Sequence, residues 1–215
     1  MLKKILFLFL LSNSVLAHCQ YKSAEEILEK ISSKIDKSKN LSFKFSYKAD
    51  NSILEFGEII FSEKKYFLEF MGIRQICDGK KIYTIIPENK EVIISEFEDD
   101  VSIVSPSNLL SFYKKGYKIL IEKKSKKPNG LEFLKLIPEF NDNEISHINM
   151  KVDLKENYIK EIHEFRKEGL VNVFKIINIQ FDKKILENPF KFDKNQYKGY
   201  YFEEFWYENY RQIHS

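Results

Sequence analysis

At 215 residues, 43% hydrophobic and 15% aromatic, the chain is long enough for one domain with a sizeable core. Its 35 basic and 32 acidic residues leave a net charge of +3, and only Arg74, Arg166 and Arg211 are arginines. That balance argues against nucleic-acid binding, which clusters cations on one face and relies on bidentate arginine contacts.

In chain order, Met1-Leu2-Lys3-Lys4 and the apolar run Ile5–Leu11 read as an export signal, too short to cross a bilayer. Residues 1–19 are expected to be removed, leaving 20–215 as one exported domain. Cleavage after Ala17 and after Cys19 both meet the small-residue rule, and acylation of Cys19 is a third reading. Cys77 is expected to be a buried small hydrophobe; a disulfide to Cys19 is open only if Cys19 survives processing.

Ser23 and Glu26 form a capping box ahead of a helix ending near Lys37–Asn40, with Ala24, Ile27, Leu28, Ile31 and Ile35 on one face. Leu41–Lys48 alternates strictly, as a half-buried strand does. Further strands are expected at Ile53–Phe61, Tyr66–Met71 and Ile73–Cys77, and Gly57 marks a bulge or a close backbone approach. The stretch Gln75–Ser95 reads as strand, turn, strand, turn, strand. Its turns are Asp78-Gly79 and Pro87-Glu88-Asn89, where Asn tolerates the left-handed region.

Glu96–Asp100 is an acidic loop without the ligand spacing of a calcium site. Ser105 and Pro106 start a short helix whose Leu109, Leu110, Phe112 and Tyr113 are apolar and which Gly116 ends. Strands follow at Tyr117–Ile121, Leu131–Pro138, Ile145–Leu154, Tyr158–Arg166 and Leu170–Phe181, with Lys123–Gly130 as a basic turn. Asn188–Phe192 is expected to be a last short strand, and Tyr197–Ser215 is an aromatic segment of open structure. About eleven strands with short connections and two helices predict a mainly β fold. The expected form is an unclosed, strongly curved antiparallel half-barrel with a helical lid.

Catalytic chemistry is not in view, and no enzyme is expected. His147, His163 and His214 lack metal-ligand spacing, there is no G-x-S-x-G elbow, and the seven glycines make no phosphate loop. His163 alternates with Glu161 and Arg166 as one polar strand face would. No catalytic residue, metal or cofactor is assigned.

The order of motifs resembles the LolA family of periplasmic lipoprotein carriers. The motifs are L-x-F-x-F at Leu41–Phe45, G-E-I-I-F at Gly57–Phe61, the aromatic strand Tyr66–Phe70 and I-C-D-G-K-K-I-Y-x-x-x-P at Ile76–Pro87. They continue with S-P-S-N-L-L at Ser105–Leu110, F-x-F-D at Phe190–Asp193 and Y-K-G at Tyr197. The resemblance implies a monomeric carrier that binds acylated lipoproteins and no nucleic acid. Such a carrier receives its cargo from an inner-membrane ABC transporter and passes it to an outer-membrane receptor. The implied apolar surface draws on Phe43, Phe45, Tyr47, Ile59, Phe61, Phe67, Ile82 and Ile93. The cover draws on Ile27, Ile31, Leu109, Leu110 and Phe112. One departure stands out: the family's R-P pair after the glycine strand is replaced here by Glu63 and Lys64, so the family's lid latch does not carry over. A sensor of lipid or misfolded protein on a related fold is the alternative. A lipid hydrolase and a barrel that is merely solid core remain further readings.

Overall fold

The structure, a computed structural model, describes residues 23–97, 113, 116–123, 128–140, 144–185 and 188–205. Helix α1 spans Ala24–Lys37. The Ser23 side chain accepts from the Glu26 amide at 3.2 Å, and Glu25 and Glu26 sit in the first turn with Lys34 and Lys37 in the last. Both charge placements complement the helix dipole. Ala24, Ile27, Leu28, Ile31 and Ile35 are all buried, as their helical spacing predicts.

Among the described residues twelve strands follow: β1 Asn40–Ala49, β2 Glu55–Ser62, β3 Lys65–Phe70, β4 Ile73–Cys77, β5 Lys81–Ile86 and β6 Glu91–Glu96. After these come β7 Tyr117–Ile121, β8 Leu131–Pro138, β9 Ile145–Asp153, β10 Tyr158–Arg166, β11 Val171–Phe181 and β12 Tyr201–Phe205. They form a single sheet in the order β12-β6-β5-β4-β3-β2-β1-β11-β10-β9-β8-β7. All pairings are antiparallel except β12 on β6, and the end strands β7 and β12 do not pair with each other. The mainly β, unclosed architecture is therefore as expected, with one N-terminal helix among the described residues. The second expected helix lies outside them, save for Tyr113 and Gly116.

Curvature follows from packing. One hydrophobic core joins α1 to residues of β1–β4 and of β8–β11. Those eight strands would spread over about 34 Å if flat, at ~4.8 Å per strand. A helix only ~10–12 Å across could not touch them all. The sheet wraps around α1, and the face toward the helix is called the inner face here.

Turn chemistry explains the hairpins. Asp78 Oδ1 accepts from the Lys80 and Lys81 amides at 2.8 and 2.9 Å, and Gly79 takes φ +91°. In the next turn the left-handed residue is Lys90 (φ 52°), not Asn89, because the Lys90 amide closes the turn on the Pro87 carbonyl. Strand β2 begins at Glu55, leaving Ile53 and Leu54 exposed outside it.

The expected strand at Asn188–Phe192 is absent. That stretch is a loop leading into a short 3-10 helix, Lys194–Tyr197, capped by Asp193. Phe192 and Tyr197 fold onto the outer face instead. Phe192 stacks on Tyr83 at 4.3 Å and on Tyr197 at 5.3 Å. With Ile76, Ile85, Val92 and Ile94 they build a second core behind β4–β6. Stacking there delivers the chain to the β6 edge running parallel to it, which is how β12 is added.

Candidate functional site

Cross-strand register defines the inner face. One row runs Ile121–Leu134–Met150–Ile162–Phe174–Tyr47 across β7, β8, β9, β10, β11 and β1. Another runs Ile179–Phe43–Ile59–Leu68–Gln75–Thr84–Ile93 from β11 to β6. A third brings Ile176, Phe45, Gly57 and Phe70 together. The result is a broad apolar trough with α1 lying in it.

At its centre is an aromatic group. The Phe45 ring lies 5.1 Å from Phe174, 5.2 Å from Phe70 and 6.0 Å from Phe43, and Tyr47 meets Phe70 edge-on at 6.0 Å. Gly57 makes this possible: a Cβ there would stand 2.3 Å from Phe45 Cζ. The close approach anticipated at Gly57 is thus a ring laid flat over bare backbone.

The structure distributes the sequence-derived residues as follows. Ile27, Ile31, Phe43, Phe45, Ile59 and Phe61 meet in the core under α1. Ile82 packs against its margin, and Tyr47 and Ile93 stand on the same inner face, each half-buried. Phe67 is placed on the opposite face, paired with Ile60 and Ile76 and packed in the second core. Leu109, Leu110 and Phe112 lie outside the described residues. Sequence reasoning passed over Phe70, Phe174, Met150, Leu134 and Leu136. For Leu134, Leu136 and Met150 the signal was the alternation Leu134-x-Leu136 and Ile148-x-Met150-x-Val152, which marks an inner face as plainly as β1 does.

Two polar features interrupt the trough. Tyr66 donates to Gln75 Oε1 at 3.3 Å, and Gln75 Nε2 donates to Thr84 Oγ1 at 3.1 Å, forming a ladder across β3–β5. Burial, with Cys77 beside it, pushes the Tyr66 hydroxyl far above its ordinary value, so it remains a donor. Near the other margin Asn172 and Arg166 both donate to Glu164 Oε1, at 3.0 and 3.2 Å. Cys77 itself is fully buried and carries no disulfide.

The cover is held at both ends. Lys34 Nζ donates to the Glu156 carbonyl in the β9–β10 turn and lies 3.9 Å from the centre of the Phe181 ring. Tyr113 OH donates to the Leu28 carbonyl at 3.2 Å. Burial, then the negative field of Glu29 and Asp36, pushes the Tyr113 hydroxyl up to about 12. An open cleft of about 500 Å³ lies between the N-terminal half of α1 and β7, lined by Leu28, Tyr113, Tyr117 and Ile119 with Glu25, Glu29, Lys118 and Glu139.

On the outer face, Glu161 takes His163 Nε2 at 2.8 Å and Lys175 Nζ at 2.9 Å. Burial raises its carboxyl, but the bonds from Lys175 and His163 outweigh this and hold it below the usual range. This is a strand-face charge cluster, as the alternation around His163 suggested. Among the described residues no three His, Cys, Asp or Glu side chains converge to hold a metal ion.

No protein-family model matches the chain, and no curated protein sequence matches it. Among solved structures the chain resembles an uncharacterized conserved protein from Thermus thermophilus, with a TM-score of 0.53 and 11% identity over 85% of this chain and 99% of that one. A putative outer membrane lipoprotein-sorting protein domain from Vibrio parahaemolyticus superposes at 0.42, with 14% identity over 80% of this chain and 97% of that one. A LolA superfamily protein from Nitrosomonas europaea superposes at 0.35, with 9% identity over 77% and 96%. At 11% identity the first of these likenesses speaks of fold alone. The open, mostly antiparallel sheet with its N-terminal helix is the mainly β, unclosed form expected from the sequence.

Proposed function

We propose that this protein is a periplasmic carrier that shields the acyl chains of lipoproteins and moves them from the inner to the outer membrane. The observation that carries the reading is the trough itself. Apolar rows, broken by the Tyr66–Gln75–Thr84 ladder and the Glu164 cluster, line the inner face of a sheet that is not closed, and among the described residues helix α1 and Tyr113 fill them. An open sheet can widen at its free edges, and a helix can be displaced from it more readily than a strand from a ladder. The task has a physical basis: each CH₂ withdrawn from water is worth about 0.8 kcal/mol, so a multiply acylated protein needs a shield to cross an aqueous space. The basic, then apolar, N-terminal segment supports export. Cargo is acylated lipoprotein, taken from an ABC transporter and given to an outer-membrane receptor.

The test is release. Mature protein is incubated with inner membranes bearing a triacylated lipoprotein, and the soluble fraction is searched for a one-to-one complex. A soluble complex that surrenders its cargo to outer membranes supports the carrier. Lipoprotein that stays membrane-bound at every concentration sinks it and moves the sensor reading ahead.

A further inference from the structure

The two rims of the sheet differ in character. Because neighbouring strands alternate in direction, the β1–β2, β3–β4, β5–β6 and β10–β11 turns and the β8 exit all lie at one end, the β5–β6 turn Pro87–Lys90 being the polar one among them. Turns are ordinarily polar, yet this rim carries Ile53 (75% exposed), Met71 (59%) and Phe140 (70%), together with the exposed Leu54, Ile73 and Leu170. The opposite rim is turned by Glu63-Lys64, Asp78–Lys80 and Lys155-Glu156, all charged or polar.

We propose that the apolar rim docks on the surface of a neutral phospholipid bilayer, with its hairpin tips inserted among the lipids. Three observations favour a bilayer over a protein partner. The apolar side chains stand on separate turns rather than on one continuous face; a fluid interface accepts scattered points, whereas a rigid partner needs a matching contour. The rim's arginines are already neutralised: Arg74 holds Glu69 at 2.8 Å, and Arg166 holds Glu144 at 3.2 Å. The other charges at this rim come in both signs, Glu88 with Lys90 in the β5–β6 turn and Lys167 with Glu168 in the β10–β11 turn, so the surface offers insertion without a net positive field that would seek anionic lipid. Finally, Tyr47 and Phe70 lead from this rim to Phe45 in the trough. A chain leaving a bilayer would find an apolar path directly behind the docked edge. This last argument rests on the carrier reading.

Flotation with phosphatidylcholine vesicles tests the inference. Wild-type protein should float with the vesicles, nearly equally at low and high salt. The variant I53D/M71D/F140D should partition at least about tenfold less, because burying such side chains drives insertion. All three sites are exposed, so its melting should stay near wild type. I177D, on the outer face away from this rim, should float as wild type does. Failure of the wild type to float, or equal flotation of the triple variant, overturns the inference. Uptake of a soluble acyl probe is read in parallel. A non-floating protein that still takes the probe leaves the carrier standing, and a floating protein that takes none sinks the carrier alone.

Discussion

Substituting Gly57 by Ala should test the packing logic of the trough at its tightest point. A methyl group there would meet Phe45 Cζ at 2.3 Å, Cε1 at 2.7 Å and Cε2 at 2.8 Å. The ring cannot simply tilt away, because Phe43, Phe70 and Phe174 surround it within 5.1–6.0 Å. Overpacking of this kind costs roughly 1–3 kcal/mol. Restricting the unfolded chain returns about 0.4–1 kcal/mol. A net loss of about 1–2 kcal/mol is expected, or about 2–8 °C in melting temperature for a domain of this size. Thermal or urea unfolding measures it, and the partner substitution Phe45→Leu checks its cause. In a double-mutant cycle, Phe45→Leu should cost less in the Gly57→Ala background than alone, since the smaller side chain relieves the clash. A neutral Gly57→Ala, or strictly additive effects, would refute the claim that this glycine exists to seat the ring.

Two further outcomes follow from charge and hydrogen bonding. The Glu161 carboxyl is held below its ordinary range by Lys175 and His163. Its contribution to stability is therefore present above the unfolded carboxylate value of about 4.3 and is lost as pH falls through the folded value. Stability curves of wild type and Glu161→Gln, apart at neutral pH, should converge on acidification; a constant gap down to low pH would contradict the assignment. The Tyr113 hydroxyl, pushed up to about 12, contributes stability that is whole below the unfolded value of about 10 and is lost as pH rises toward 12. Tyr113→Phe should cost roughly 1 kcal/mol at neutral pH and should flatten that alkaline loss, as followed by far-ultraviolet circular dichroism.

How much was legible in the sequence depended on whether a residue's face could be read locally. Leu41–Tyr47 alternates cleanly, and its face was assigned correctly. In β3 the run Tyr66-Phe67-Leu68 is apolar at successive positions, so alternation cannot say which side is inner. Only the pairing of Phe67 with Ile76, over which the C-terminal aromatics close, places it outside. Phe190 and Phe192 have strand-like spacing but no partner strand within reach. The Phe192 ring instead stacks on Tyr83, and that long-range choice leaves no local mark. A final strand within Tyr197–Ser215 was one open reading, but its parallel pairing on β6 left no local mark, because no tight turn joins the two. Lys34 as a clamp on α1 could not be read either, since its partners Glu156 and Phe181 lie far away in the chain.

The trough is filled in this arrangement, so a carrier built this way works by exchange. Ile27, Leu28, Ile31 and Ile35 are buried against the sheet, and four such side chains represent roughly 6–12 kcal/mol of burial. One acyl chain of about sixteen carbons withdrawn from water is worth about 13 kcal/mol. The two quantities are of the same size, which is what reversible loading and unloading require: a much stickier cover would bar the cargo, and a looser one would leave the apolar rows wet. Ile31→Ala shifts this balance in a known direction. It should lower the stability of the unliganded protein by about 2–5 kcal/mol. By weakening the cover, it should also tighten binding of an acyl probe by roughly tenfold or more, if at least ~1.4 kcal/mol of that loss belongs to the covered state alone. Titration of wild type and variant with a fluorescent acyl ligand decides the point. Tighter binding means that α1 competes with cargo for the trough. Weaker binding means that Ile31 touches the cargo, and the exchange argument then fails even if the protein remains a carrier.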